Sequence, residues 1–245
     1  MGRYEEAFTA LATVVDPELD EPITELGFVH TLVVSPAGNI TLHLRLPTSF
    51  CSPNFAYLMA SDAKDVLTKL NWTRTVVVEL DDHHDSDIIN AGLAADAGYR
   101  GTFGHEAQKS LDGLRITFHR KAHTAAMERC LTALLRAEPS RPESSLGTVT
   151  VAELPDDSTT EALLRRRENI GLPTEPTALV MVDHTGTGYP PEAVPLALRR
   201  ARSTRISIDG NAHFCRGLLR TRYAEPAEPA PEHTLIPLTP IGALR

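Results

Sequence analysis

The sequence predicts an α/β (α+β) protein in which a small mixed sheet with helices on one side is followed by a second, smaller α/β domain. In the first half, helical spacing of apolar residues and β-rich runs follow one another in the order α-β-β-α-β-α. The third β-rich run, residues 75–80, contains three consecutive valines, which is typical of a strand buried on both faces. In the second half, β-rich runs alternate with helical patterns and predict a second α/β unit.

Each predicted element of the first half has its own signal. Helical spacing or β-rich composition marks helix 4–14, strands 29–34 and 40–46, helix 55–70, strand 75–80 and helix 88–97. The turn-forming sequence Ser-Pro-Ala-Gly-Asn at residues 35–39 joins the first two strands and predicts a hairpin. Gly98 is expected to end the last of these helices.

The second half is interpreted from weaker signals of the same kind. They indicate strand 147–152, helix 159–169, strand 177–182, helix 191–202, strand 205–208 and helix 212–222. Residues 137–146 are rich in Pro, Ser and charge, so they are predicted to link a first domain with a helical extension, 1–136, to a second domain, 147–223. Residues 224–245 carry closely spaced prolines, which exclude regular helix and predict a tail.

Charge and cysteine usage narrow the functional classes. The 245 residues carry a formal net charge of −8, which argues against nucleic-acid binding because that binding depends on phosphate-neutralising cations. No apolar stretch approaches the roughly 20 residues of a membrane helix, and Glu5 and Glu6 stand where a secretory signal has basic residues. Three widely separated cysteines predict free thiols in a reducing compartment, so a cytoplasmic protein is expected.

Cys51 lies between a predicted strand that ends at Leu46 and a helix that begins near Pro53. Ser52 is placed as the N-cap of this helix and Pro53 as its first residue. The positive end of the helix dipole favours a thiolate at Cys51, which is the form that both a nucleophile and a soft-metal ligand require. A buried, inert cysteine is an equally good interpretation of this spacing alone.

Acidic residues crowd the turn after the first helix. Asp-Pro-Glu at residues 16–18 precedes Ile-Thr-x-Leu-Gly-x-Val at residues 23–29, and a solvated acidic loop explains this turn on its own. Taken in order with the hairpin and with Thr48 and Cys51 ahead of a helix, these motifs resemble the SufT/PaaD-like family of iron–sulfur cluster assembly domains. The resemblance covers about residues 4–99.

This resemblance implies a small α/β fold and a role in the maturation of metalloproteins. It implies that Cys51 is the essential thiol, that Asp16 and Glu18 border its pocket, and that the Thr48 hydroxyl shapes the Cys51 loop. The residues expected to line the pocket are Thr48, Ser49 and Ser52. Some members of the wider family are associated with bacterial multicomponent di-iron monooxygenases, so such an enzyme is an expected client.

The chain also departs from the family. Ser52 follows Cys51 where members often have Pro, and an Asp-Asp-His-His-Asp sequence at residues 81–85 replaces an apolar or Trp-containing segment. The Cys-rich C-terminal zinc module of PaaD has no counterpart among the three cysteines. The specific role of PaaD is therefore not implied for this chain.

The histidines at the end of strand 75–80 are candidate metal ligands, because imidazole and carboxylate are good ligands for iron. We expect a shared site for Fe(II) or an iron–sulfur cluster, and zinc fits the same ligands. The predicted ligands are Cys51, His83 or His84, and Asp16 or Glu18. Three cysteines cannot supply the four thiolates of an ordinary cluster, so a cluster would be shared in a homodimer or would use a histidine. A polar loop that caps the next helix is the alternative.

Three further histidines are weaker candidates. His119 and His123 are four positions apart. This spacing fits a metal-binding pair and also an ordinary, partly exposed helix. His105 follows a Gly-rich stretch that fits a loop able to close over a site. Cys130 is expected in the core and Cys215 in a structural role, because the spacing of His213 and Cys215 separates them on a helix.

The sequence therefore favours a non-enzymatic maturation factor that delivers iron or an iron–sulfur cluster. Its expected partners are a client metalloenzyme or other assembly proteins, without nucleic acid or membrane. Two alternatives stay open. One is an enzyme that uses Cys51 as nucleophile with a nearby histidine as base. The other is a scaffold without chemistry that recruits a partner.

Overall fold

The computed structural model describes residues 2–104 and 111–224. Its helices are α1 Arg3–Leu11, α2 Pro53–Thr68, α3 Ser86–Ala94, α4 Gly98–Phe103, α5 Leu111–Ala137, α6 Ser158–Glu168 and α7 Val194–Tyr223. Its strands are β1 Val15–Asp16, β2 Glu21–Pro22, β3 Val29–Val34, β4 Asn39–Arg45 and β5 Thr75–Asp81. The predicted loop residue His105 and most of the predicted tail, residues 225–245, lie outside the described residues.

A three-stranded mixed sheet in the order β3-β4-β5 forms the centre of the first half. β3 and β4 are the antiparallel hairpin that the turn sequence predicts. β4 and β5 are parallel, with His43 opposite Glu79, and α2 makes the crossover between them. Parallel pairing places the loops that follow β4 and β5 at the same edge of the sheet.

One face of this sheet is covered and the other is open. Ile40, Leu42 and Leu44 are buried, and so are Val78 and Leu80 on the neighbouring strand. The alternate residues face away from this core, and the Val77 side chain is 46% exposed. The prediction that strand 75–80 is buried on both faces is therefore wrong, because the helices pack on one side only.

The second half differs from its predicted strands. Residues 147–152 contain the end of one 3-10 helix, Glu143–Thr148, and the start of another, Val151–Glu153. An isolated bridge joins Thr150 to Leu179 in place of paired strands. Residues 205–208 lie inside the continuous helix α7. Local β propensity is a weak preference that tertiary packing overrides. The mixed α/β class is confirmed, and so is the helix predicted at residues 159–169.

Helix α7 contributes to two hydrophobic clusters. Its first half adds Val194, Leu198 and Ala201 to a cluster with α5 and α6, whereas Ala212 belongs to the core beneath the sheet. The predicted linker contributes to the cluster formed with α5 and α6, because its residue Leu146 is fully buried there. The division into two domains stays a prediction. No described helix is long and apolar enough to cross a membrane.

An ion cluster holds α5 against α7. Glu128 is fully buried and accepts hydrogen bonds from Thr132 at 2.8 Å, from Arg202 at 3.0 Å and from Arg205. Burial alone raises the pKa of the Glu128 carboxyl, but these three hydrogen bonds reverse the effect and lower the pKa below its ordinary value. The charged form is therefore held in place by its partners.

Replacing both arginines, Arg202→Ala with Arg205→Ala, should destabilise the fold by about 3–5 kcal/mol, because it leaves a buried carboxylate without its charge partners. Denaturant unfolding near neutral pH measures the loss. Arg199→Ala removes an exposed arginine from the same helix and serves as the control. Equal stability of the double variant and the control would show that the cluster contributes nothing.

Candidate functional site

The loop that carries Cys51 joins β4 to α2. The Cys51 side chain is partly exposed, and its sulfur lies 3.4 Å from the Thr48 hydroxyl. Thr48 also accepts a hydrogen bond from the Phe50 amide at 3.3 Å, so its hydroxyl contacts both the thiol and the backbone of this loop. Ser52 is the N-cap residue of α2, although its side chain makes no capping hydrogen bond, and Pro53 begins the helix. The thiol therefore lies one residue before the positive end of a sixteen-residue helix.

His83 holds the backbone of this loop. Its Nε2 is 2.8 Å from the Cys51 carbonyl oxygen, and its Nδ1 is 3.1 Å from the Asp85 amide nitrogen. An amide can only donate and a carbonyl can only accept, so the ring is the neutral tautomer with its proton on Nε2. Both ring nitrogens of this buried side chain are thus occupied, and His83 positions Cys51 through its main chain.

His84 is exposed and contacts the same loop from outside. Its amide donates to the Ser49 carbonyl at 2.9 Å, and its ring lies 5.6 Å from the ring of Phe50. The loops after β4 and β5 therefore meet at one edge of the sheet. In the described part of the chain, however, the candidate ligand atoms of these loops and of the acidic turn are not gathered within 4.8 Å of one another.

The acidic turn after α1 is held by backbone hydrogen bonds to the Asp16 side chain. Asp16 is buried, and its carboxylate accepts hydrogen bonds from the amides of Glu18 and Leu19, both at 2.9 Å. Burial nevertheless outweighs these hydrogen bonds and raises the pKa of Asp16 to about 6. Glu18 is exposed, and its carboxylate lies 3.4 Å from the side-chain amide of Asn211 on α7. The turn therefore faces the C-terminal helix.

Arg222, in the last turn of α7, holds the Cys51 loop in place through hydrogen bonds. Its guanidinium donates to the Leu46 carbonyl at 2.9 Å, to the Ser49 hydroxyl at 2.8 Å and to the Asp82 carbonyl. One side chain thus joins the loop after β4, the loop after β5 and α7. No local pattern around Arg222 indicates this role, since its partners are more than 100 residues away in the chain.

The remaining sequence candidates lie elsewhere. His123 is buried in α5, where burial and the nearby Arg167 lower its pKa to about 4, and His119 is a half-buried residue of the same helix. Among the described residues, the group whose ligand atoms do lie within 4.8 Å is His43, Glu79 and Asp81. These three occupy the open face of the sheet, and the Arg45 guanidinium already pairs with Asp81 at 3.7 Å. Sequence reasoning missed this group because its members lie on two strands.

Replacing His83 by Ala should loosen the Cys51 loop, because the Cys51 carbonyl loses its buried partner. The expected loss of unfolding free energy is about 1–3 kcal/mol, and amide hydrogen exchange of residues 49–52 should accelerate. His84→Ala is the matched control, since it removes the adjacent but exposed imidazole. Equal exchange in the two variants would contradict a positioning role for His83.

Residues 5–80 match a family model described as iron-sulfur cluster assembly protein. A segment of 43 residues, 18% of this chain, is 49% identical to the iron-sulfur cluster carrier protein of Mycobacterium leprae. The matched part is 11% of that protein, so the chain spans about a tenth of its length. An uncharacterized protein of Methanocaldococcus jannaschii is 29% identical over 93 residues, which are 38% of this chain and 96% of that protein.

No solved structure matches the chain. The matched residues 5–80 nevertheless contain the acidic turn, the three-stranded sheet and the Cys51 loop, and they agree with the motifs that carry the resemblance. Residues 5–80 of this chain are therefore similar in sequence to the iron–sulfur cluster assembly protein family.

Proposed function

We propose that this protein binds iron or an iron–sulfur cluster at Cys51 and delivers it to a client metalloenzyme. The observation that carries the proposal is a partly exposed thiol, placed before a helix N-terminus by Thr48 and His83, inside a matched assembly domain. Thiolates are the preferred protein ligands of iron–sulfur clusters. The cargo is thus a substrate that the protein holds and releases.

The other two cysteines offer less reactive thiols. Burial raises the pKa of the Cys130 thiol to about 11, with a further contribution from Asp157, and its sulfur donates to the Thr159 carbonyl of α6. Burial also raises the pKa of Cys215 to about 11. Cys130 is buried and Cys51 is partly exposed, so a metal entering from solvent reaches Cys51 more readily than Cys130.

The incompleteness of the site fits delivery better than storage. A metal held by four rigid ligands is released slowly, whereas a site with open positions can accept ligands from a client. We expect Asp16 or Glu18 to supply a carboxylate, and the Phe50 ring, one residue before Cys51, is 80% exposed. An exposed aromatic ring next to the thiol is suited to contact with a partner.

The geometry gives less support to a cysteine nucleophile. Such an enzyme needs a histidine nitrogen within hydrogen-bond reach of the sulfur. Among the described histidines, His83 is the one that contacts Cys51, and it donates to the carbonyl oxygen instead. We therefore favour a cytoplasmic carrier without turnover, whose client is a metalloenzyme of the di-iron monooxygenase type.

Cys51→Ser should weaken binding of Fe(II), or of a cluster reconstituted with iron and sulfide, by at least about 10–100-fold, because losing a direct ligand costs no less than losing an outer partner. Anaerobic titration followed by iron analysis measures the change. Cys130→Ser is the matched control, since it removes a thiol that is buried in the hydrophobic cluster formed with α5, α6 and the first half of α7.

The same titration separates the alternatives. Equal binding by the wild type and Cys51→Ser would overturn the assignment of the thiol. If no variant retains iron or a cluster, the chain acts as a scaffold for its partner. Faster alkylation of Cys51 than of Cys130 at neutral pH is also expected.

A further inference from the structure

The C-terminal half of α7 lies along the Cys51 site. Asn211 contacts Glu18 at 3.4 Å, Arg216 pairs with Glu21, and Arg222 binds the Ser49 hydroxyl at 2.8 Å. These contacts extend from the acidic turn at one end to the Cys51 loop at the other. The helix therefore forms a wall of the site.

Cys215 lies between these anchoring contacts. Residues 211, 215, 219 and 222 are spaced by four, four and three positions, so they share one face of α7. Asn211 and Arg222 on this face bind the first half of the chain, and Leu219 packs against Gly27. Cys215 is partly buried in the same hydrophobic cluster as Cys51.

Electrostatic effects agree with this placement. After burial, the groups that raise the pKa of Cys215 are Cys51, followed by Asp16 and Glu18. This agrees with the place of both thiols against one hydrophobic cluster.

We propose that Cys215 is the second thiolate ligand of the Cys51 site, so that α7 completes a two-sulfur site for a thiophilic divalent metal such as Fe(II). The proposal rests on the function proposed above and adds a ligand from outside the matched residues 5–80. It gives Cys215 a binding role where the sequence alone favours a structural one. Neither Cys51 nor Cys215 forms a disulfide, so both sulfur atoms are available as ligands.

The test titrates the full chain with Co(II) under anaerobic conditions, because each cobalt–thiolate bond adds near-ultraviolet charge-transfer absorption. The variants are Cys215→Ser, Cys51→Ser and, as control, Cys130→Ser. Cys215→Ser should keep about half of the wild-type absorption per bound cobalt and bind about 10–100-fold more weakly. Cys130→Ser should match the wild type.

Two outcomes separate the claims. If Cys215→Ser matches the wild type while Cys51→Ser loses absorption, the second ligand is wrong and the proposed function stands. If none of the three substitutions changes the absorption, Cys51 is not a ligand and both claims fail. Cys215→Ala, with circular dichroism of each variant, ensures that lost binding reflects the missing sulfur rather than unfolding.

Discussion

The candidate site depends on the parallel pairing of β4 with β5. This pairing brings the loop after β4, with Cys51, and the loop after β5, with His83, to the same edge of the sheet. The hydrogen bond from His83 to the Cys51 carbonyl then fixes the loops together. Without the α2 crossover that makes the strands parallel, the two loops would lie at opposite edges.

Residues from the C-terminal half of the chain contact the loops at this edge of the sheet and the acidic turn. Arg222 ties both loops to α7, and Arg166 of α6 pairs with Asp20 in the acidic turn at 2.7 Å. The buried Glu128 cluster holds α7 against α5, so the position of the helix over Cys51 depends on packing far from the thiol. The arrangement of the Cys51 loop therefore depends on contacts from both halves of the chain.

Local sequence patterns predicted the parts of the site that depend on neighbouring residues. The hairpin and the placement of Cys51 before α2 follow from short-range order, whereas the role of Thr48 was expected from the family resemblance. The roles of His83 and Arg222 do not follow from short-range order, because both depend on partners at least 30 residues away. The β-rich run at residues 205–208 misled for the same reason, since packing of a long helix decided its structure.

We propose that iron bound by this protein has a sulfur ligand from Cys51. X-ray absorption at the iron edge, recorded on anaerobically Fe(II)-loaded full-length protein without added sulfide, tests it most directly. We expect a sulfur shell around iron in the wild type that is reduced in Cys51→Ser. A wild-type spectrum with only oxygen and nitrogen neighbours would contradict it.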